Sequence, residues 1–196
     1  AAFTYDLACR LSQRIAAIAP VGENMTLVSY DECEATIPTG IISFHGTADE
    51  SRPYNGIEGY NLSYEEINSF WTNLNETEAV ATVAEINTNT EDGSSVESYS
   101  WEKGKNCSSV EHYKIINGGH SWPNPNAESW GKGDDVNRDI DTNVLIWNYV
   151  SEYDLYGIIG CEERVTNNEY QQLEYNFNLN QNYPNPFNPS TQIQYA

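Results

Sequence analysis

Gly40-Ile41-Ile42-Ser43-Phe44-His45-Gly46-Thr47-Ala48-Asp49 decides how this chain is read. Its apolar, β-branched and aromatic residues run to His45, stop at a glycine, and deliver a carboxylate just beyond. A short run of this composition is a buried strand. In an open α/β sheet, chemistry gathers outside the carboxyl ends of the strands, so Asp49 is a candidate site residue. A second stretch has the same build. Val110-Glu111-His112-Tyr113-Lys114-Ile115-Ile116 is strand-like and leads through Asn117 into Gly118-Gly119-His120-Ser121-Trp122-Pro123. An acid after one strand and a histidine after a later one make two members of a triad in the chain order Ser…Asp…His. Each has an ordinary explanation when taken alone, Asp49 as a turn residue and His120 as a histidine bonded to a carbonyl. Their order and matching contexts favour the catalytic reading.

Outward from these strands, periodicity changes from stretch to stretch. Phe3, Leu7, Leu11 and Ile15 recur every four residues, which predicts an amphipathic helix with that stripe buried. Ile15 to Val21 follows as a short buried strand. Ser63-Tyr64-Glu65-Glu66 has the form of a capping box, with Ile67, Phe70, Trp71 and Leu74 on one helical face behind it. Ala79 to Asn87 and Glu97 to Trp101 read as strands separated by a turn at Asp92-Gly93. Asp139-Ile140-Asp141-Thr142 opens a last helix, its acids suited to the positive end of the dipole. Ile140, Val144, Trp147 and Val150 are its expected buried face. Alternating strands and helices predict the α/β class. No strand precedes the first helix, so the fold is expected to be incomplete at its start.

Composition narrows the partners. The 196 residues carry 29 Asp and Glu against 9 Lys and Arg, a net charge of -20. Nucleic acid and anionic membrane surfaces would repel such a chain. No apolar run is long enough to span a bilayer, so no membrane insertion is expected. The four cysteines, Cys9, Cys33, Cys107 and Cys161, do not have metal-ligand spacing. They admit three disulfide connectivities, or they are buried free thiols. The acidic loop Asp134 to Asp141 fails as a calcium loop, with Ile140 at the glycine position and Ile146 at the bidentate glutamate position. Neither a metal nor a cofactor is expected. Beyond Gly157 the chain turns polar, and Pro184, Pro186 and Pro189 preclude a helix or central strand around them. Gln192-Ile193-Gln194-Tyr195 resumes strand-like alternation. The expected organisation is a main domain over 1–158, a linker over 159–172, and the start of a small β-rich module over 173–196.

Three stretches together carry a family likeness. Leu7-Ala8-Cys9-Arg10-Leu11 with Ile15 to Val21, His45 to Asp49 with Pro53-Tyr54-Asn55-Gly56, and Gly118 to Pro123 are the residues concerned. As a set they resemble the secreted esterases related to polyhydroxybutyrate depolymerases and to feruloyl and acetylxylan esterases. Ile140-Asp141 through Ile146-Trp147 is similar to that family's final helix. The resemblance spans most of Ala1 to Leu155 and implies the C-terminal part of an α/β-hydrolase fold. It implies that Asp49 is the triad acid and His120 the general base, with Tyr54 and Trp122 as aromatic residues of the substrate pocket. It puts the nucleophile in a Gly-x-Ser-x-Gly elbow roughly three residues before Ala1. Ser29, Ser43 and Ser121 lack an elbow and are not candidates. Pro123-Asn124-Pro125 departs from the family, which more often has a glycine after the first proline.

The tail Asn182-Tyr183-Pro184-Asn185-Pro186-Phe187-Asn188-Pro189-Ser190-Thr191 resembles the C-terminal sorting domain of type IX secretion. That implies export to the cell surface or medium, with the secretion machinery as a partner. The expected function is a secreted serine esterase acting on feruloyl or acetyl esters of plant polysaccharide. Polyhydroxybutyrate or another polyester is the alternative substrate. A non-catalytic protein using its 14 Tyr and 5 Trp to stack on polysaccharide is the alternative class.

Overall fold

The computed structural model describes residues 2–126 and 136–162. The chain divides into two compact units, Ala1–Val165 and Thr166–Ala196, and every described residue belongs to the first. The tail read as a sorting module therefore lies outside the described residues. In chain order the elements are α1 (Ala2–Arg10), β1 (Ala17–Ile18), α2 (Leu27–Asp31), β2 (Gly40–Gly46), α3 (Tyr64–Asn75), β3 (Thr82–Ile86), β4 (Ser95–Trp101), β5 (Val110–Ile116), α4 (Thr142–Val150), β6 (Tyr153–Asp154) and β7 (Gly157–Ile158). Five strands form one sheet in the order β1-β2-β5-β4-β3, and β6 and β7 pair separately.

The sheet has two halves with different chemistry. β1, β2 and β5 run parallel, with β5 in register from Ile41↔Val110 to Gly46↔Ile115. Every residue of β2 is buried, because helices cover both of its faces. Ile41 and Val110 face a cluster built from α1 and α3, including Tyr5, Ala8, Tyr64, Ile67 and Trp71. Ile42, Phe44 and Ile115 face the other way, toward Ile140, Tyr149 and Tyr153 around α4. The other half is an antiparallel hairpin. β4 joins β5, and β3 hangs on β4 with nearly every residue exposed. The chain is thus mixed α/β, as the alternation of periods predicts.

Local signals place α3 as expected. Ser63 accepts from the Glu66 amide while the Glu66 side chain accepts from the Ser63 amide, the reciprocal capping box. Ile67 and Trp71 are buried, and Phe70 and Leu74 pack partly buried against the same cluster. The far end of α3 is clamped to the entry of β2. Asn75, fully buried, donates to the Thr39 carbonyl at 2.8 Å and accepts from the Thr39 amide at 3.1 Å.

Two helical faces differ from expectation. In α1 the buried residues are Tyr5, Ala8 and Cys9, whereas Phe3 is 68% exposed and Leu11 38% exposed. The cause is tertiary: Cys9 is bonded to Cys33, and Tyr5 stacks on Trp71 with ring centroids 6.4 Å apart. In α4, Val144 and Trp147 are exposed, while Thr142 and Tyr149 are buried and Leu145 and Ile146 pack against the core. Here a hydroxyl network sets the rotation. Tyr149 donates to the Ser109 carbonyl at 2.7 Å, and the Ser109 amide donates to the Tyr153 hydroxyl at 3.0 Å.

No cysteine is free: the pairs are Cys9–Cys33 and Cys107–Cys161. They close loops of 24 and 54 residues in separation. By chain entropy each such loop contributes about 3–4 kcal/mol. Disulfides of this kind persist in oxidising compartments. The second ties the chain back to the sheet at Cys161, past the boundary expected at 158. Among the described residues no helix is long and apolar enough to cross a membrane.

At the carboxyl ends of β2 and β5 the backbones touch. A Cβ on Gly46 would overlap the Gly118 carbonyl group, and one on Gly118 would overlap Ile115. Gly46→Ala is therefore expected to cost about 3 kcal/mol through overpacking. Urea denaturation checks this, and an unchanged midpoint would show that the two loops have room to separate.

Candidate active site

The two loops that leave β2 and β5 are laced together before they diverge. The Thr47 amide donates to the Ile115 carbonyl at 2.8 Å, and the Ala48 amide to the Gly118 carbonyl at 2.9 Å. From the other side, the Asn117 amide donates to Thr47 Oγ1 at 2.9 Å. Asn117 itself has φ 60°, a left-handed conformation that asparagine tolerates better than most residues. These crossings bring the two predicted site residues into contact. His120 Nδ1 donates to Asp49 Oδ2 at 2.8 Å.

The Asp49 side chain is fully buried, and its other oxygen is also engaged. Oδ1 accepts the amides of Ser51 at 2.9 Å and Arg52 at 2.8 Å. Three hydrogen bonds to one carboxylate fix its plane and its distance from the imidazole. With Nδ1–H committed to Asp49, the lone pair of a neutral His120 lies on Nε2. That atom has no hydrogen-bond partner among the described residues, and the His120 side chain is 52% exposed. The arrangement is an oriented imidazole with its basic nitrogen available to a reacting group.

Two residues that sequence reasoning did not single out complete the support. His45, read as the last residue of a strand and as part of the family-like His45 to Asp49 stretch but given no role, is buried and donates from Nε2 to the Arg52 carbonyl at 2.6 Å. The same nitrogen stands 3.5 Å from Asp49 Oδ2. Burial lowers the His45 pKa, so the ring stays neutral and pins the 49–52 turn without competing for the carboxylate's charge. Gly22 is the other. With φ +62°, it follows β1, donates to the Phe44 carbonyl at 2.9 Å, and would place a Cβ 3.5 Å from the His120 ring. Its backbone walls one side of the imidazole.

Trp122 follows two residues after His120 on the same loop and is 48% exposed. Tyr54 makes no hydrogen bond to Asp49 or His120; its ring stands 5.9 Å from that of His45, the neighbour of Asp49, and it also lines a cavity under α3. There its hydroxyl meets His112 Nε2 at 2.9 Å. Ser43 donates to the Glu111 carbonyl at 3.3 Å and lies 2.9 Å from His112 Nδ1. That assigns the proton to Nδ1 and makes Tyr54 the donor at Nε2. Desolvation pushes the His112 pKa down to about 3, and the buried ring is neutral. The local cue Pro53-Tyr54-Asn55-Gly56 carried no information about this partner 58 residues away.

Among the described residues no group of three or more His, Cys, Asp or Glu side chains is placed to hold a metal ion. Compared with known proteins, the chain matches no family model and no curated protein.

The geometry makes two testable statements. Asp49→Asn should release the tautomer lock, because a carboxamide can offer its NH2 to Nδ1 as readily as its oxygen. Imidazole ¹⁵N shifts of His120 at alkaline pH should then move from a single Nδ1–H form to a mixture. An unchanged tautomer would mean that Asp49 does not orient the ring. The second concerns acid stability. In the unfolded chain His112 takes up a proton near pH 6.5, but in the folded chain only near pH 3. Between those values the unfolded state binds more protons, so stability falls as pH is lowered through that window. Urea midpoints should decline from pH 6.5 toward 3, and more shallowly in His112→Gln; equal slopes would remove His112 as a contributor.

Proposed function

We propose that Asp49 and His120 are the acid and base of a Ser-His-Asp hydrolase acting on carboxylic esters, in the C-terminal part of an α/β-hydrolase fold. The observation that carries this reading is the 2.8 Å hydrogen bond between Nδ1 and Oδ2, formed by loops at the carboxyl ends of two parallel strands. In such a site the free Nε2 takes the proton of a serine hydroxyl as it attacks the ester carbonyl. The imidazolium then protonates the leaving alkoxide, and the buried carboxylate stabilises that cation without itself accepting the proton. The acyl-enzyme is released by water through the same two steps. The nucleophile is assigned by resemblance to a Gly-x-Ser-x-Gly elbow N-terminal to Ala1.

The proposed substrates are feruloyl or acetyl esters of plant polysaccharide. Trp122, half exposed two residues after the base, offers a face for a feruloyl ring or a sugar. Neutral esters are not repelled by a chain of net charge -20. The proposed address is outside the cell, through type IX secretion, on the strength of the tail motif and in keeping with the two disulfides.

A protein that includes the upstream elbow should hydrolyse p-nitrophenyl acetate. His120→Ala should lower its kcat by about 10⁴-fold or more with a much smaller change in KM. The chain from Ala1 to Ala196 should show no turnover above its own His120→Ala control. Turnover that the substitution abolishes would place the nucleophile within these residues. On polymers, the elbow-containing protein should release ferulate or acetate from decorated xylan faster than it clears polyhydroxybutyrate films. The opposite ranking would make it a polyester depolymerase.

A further inference from the structure

Under α3, against the β4–β5 pair, lies a cavity of 340 Å³ lined by Tyr54, Asn68, Tyr99, Trp101, His112 and Lys114 among others. Neither Asp49 nor His120 lines it. We propose that this cavity is a binding site for a neutral pyranoside, separate from the candidate catalytic pair.

Its volume is at the small end of ligand pockets. One wall is aromatic. Tyr99 and Trp101 project from the same face of β4, with ring centroids 5.9 Å apart and planes within 16°. Opposite them stands Asn68 on α3, 9% exposed and without a side-chain hydrogen bond to any described residue. Its amide atoms are not fully enclosed, so water reaches them from the cavity and a ligand hydroxyl can take that water's place. Several other polar groups of the wall already have partners. Lys114 Nζ holds Glu97 at 3.0 Å, Tyr99 donates to the same Glu97 oxygen at 2.8 Å, and the Tyr54 hydroxyl is bonded to His112.

Charge and chemistry select the ligand class. Lys114 is neutralised by Glu97, His112 is uncharged, Glu65 also lines the cavity, and the chain as a whole is strongly negative. An anionic ligand would find no free cation among these groups. A cationic one would find the Tyr54 ring and the Glu97 carboxylate already served by the Lys114 ammonium, 5.9 Å from the ring centre and 3.0 Å from the carboxylate. A purely apolar ligand would satisfy the rings and leave the Asn68 amide unpaired. A pyranoside answers both, presenting a C–H face to the aromatic wall and hydroxyls to the amide.

A ¹H–¹⁵N NMR titration of the full chain with xylobiose and with cellobiose tests this, following the Asn68 side-chain amide and the Trp101 indole N–H. At least one of the sugars should shift both signals along one common binding curve, whether or not the Trp122 signals respond at a separate site. Asn68→Ala should weaken binding about tenfold, as expected for one or two lost hydrogen bonds. Tyr99→Leu, which keeps apolar bulk, should weaken it by a similar factor with the thermal unfolding midpoint little changed. Glucuronic acid should bind more weakly than the neutral sugars. The proposal is overturned if neither sugar shifts these signals up to its solubility limit, if the shifts are confined to His120 and Trp122, if both variants bind like wild type, or if glucuronic acid binds tighter. The readout needs no hydrolysis, so it stands or falls independently of the roles of Asp49 and His120.

Discussion

The contact between Gly46 and Gly118 is the constraint on which the rest of this structure depends. It occurs where two parallel strands end and both chains must turn outward over the sheet. With no side chain at either position, the backbones approach closely enough for carbonyls and amides to cross-link the loops. Everything beyond that crossing follows from it. Asp49 and His120 lie 71 residues apart in sequence, yet they are neighbours because their loops share hydrogen bonds at the root. A larger residue at Gly46 would press on the Gly118 carbonyl and separate the roots, and with them the carboxylate from the imidazole.

The core around this crossing holds buried polar groups that bond to one another. His45 closes the turn that holds Asp49, and His112 sits between Ser43 and Tyr54. Both rings are held neutral by burial, so neither places an uncompensated charge in the interior. On the opposite face Ser109, Tyr149 and Tyr153 form a hydroxyl cluster that locks α4 and the β6–β7 pair. Such networks are directional, and they set the rotation of the helices they touch where hydrophobic packing alone would allow several. His45 Nδ1 is the exception near the site, buried without a partner.

The sheet's two halves suit two kinds of work. The parallel half is covered on both faces and carries the rigid ends from which Asp49 and His120 project. The antiparallel half carries aromatic residues on one face of β4, and a cavity lies there beneath α3. A site on the first half gains positional precision from its scaffold. A site on the second gains surface for recognition.

From sequence alone, the strands at Gly40 and Val110, the capped helix after Ser63, the hairpin around Asp92-Gly93, and the pairing of Asp49 with His120 were all legible. Each is written in local chemistry: a run of β-branched residues, a serine three residues before a glutamate, a glycine before a titratable side chain. Tertiary structure alone decided the disulfide pairing, the buried faces of α1 and α4, the placement of Tyr54 beside His112, and the support that His45 and Gly22 lend the site. The reason is physical. Periodicity and capping act within a turn or two of the chain, whereas a disulfide partner, a helix rotation or a buried hydrogen bond is selected by residues tens of positions away, which become neighbours only when the sheet has closed.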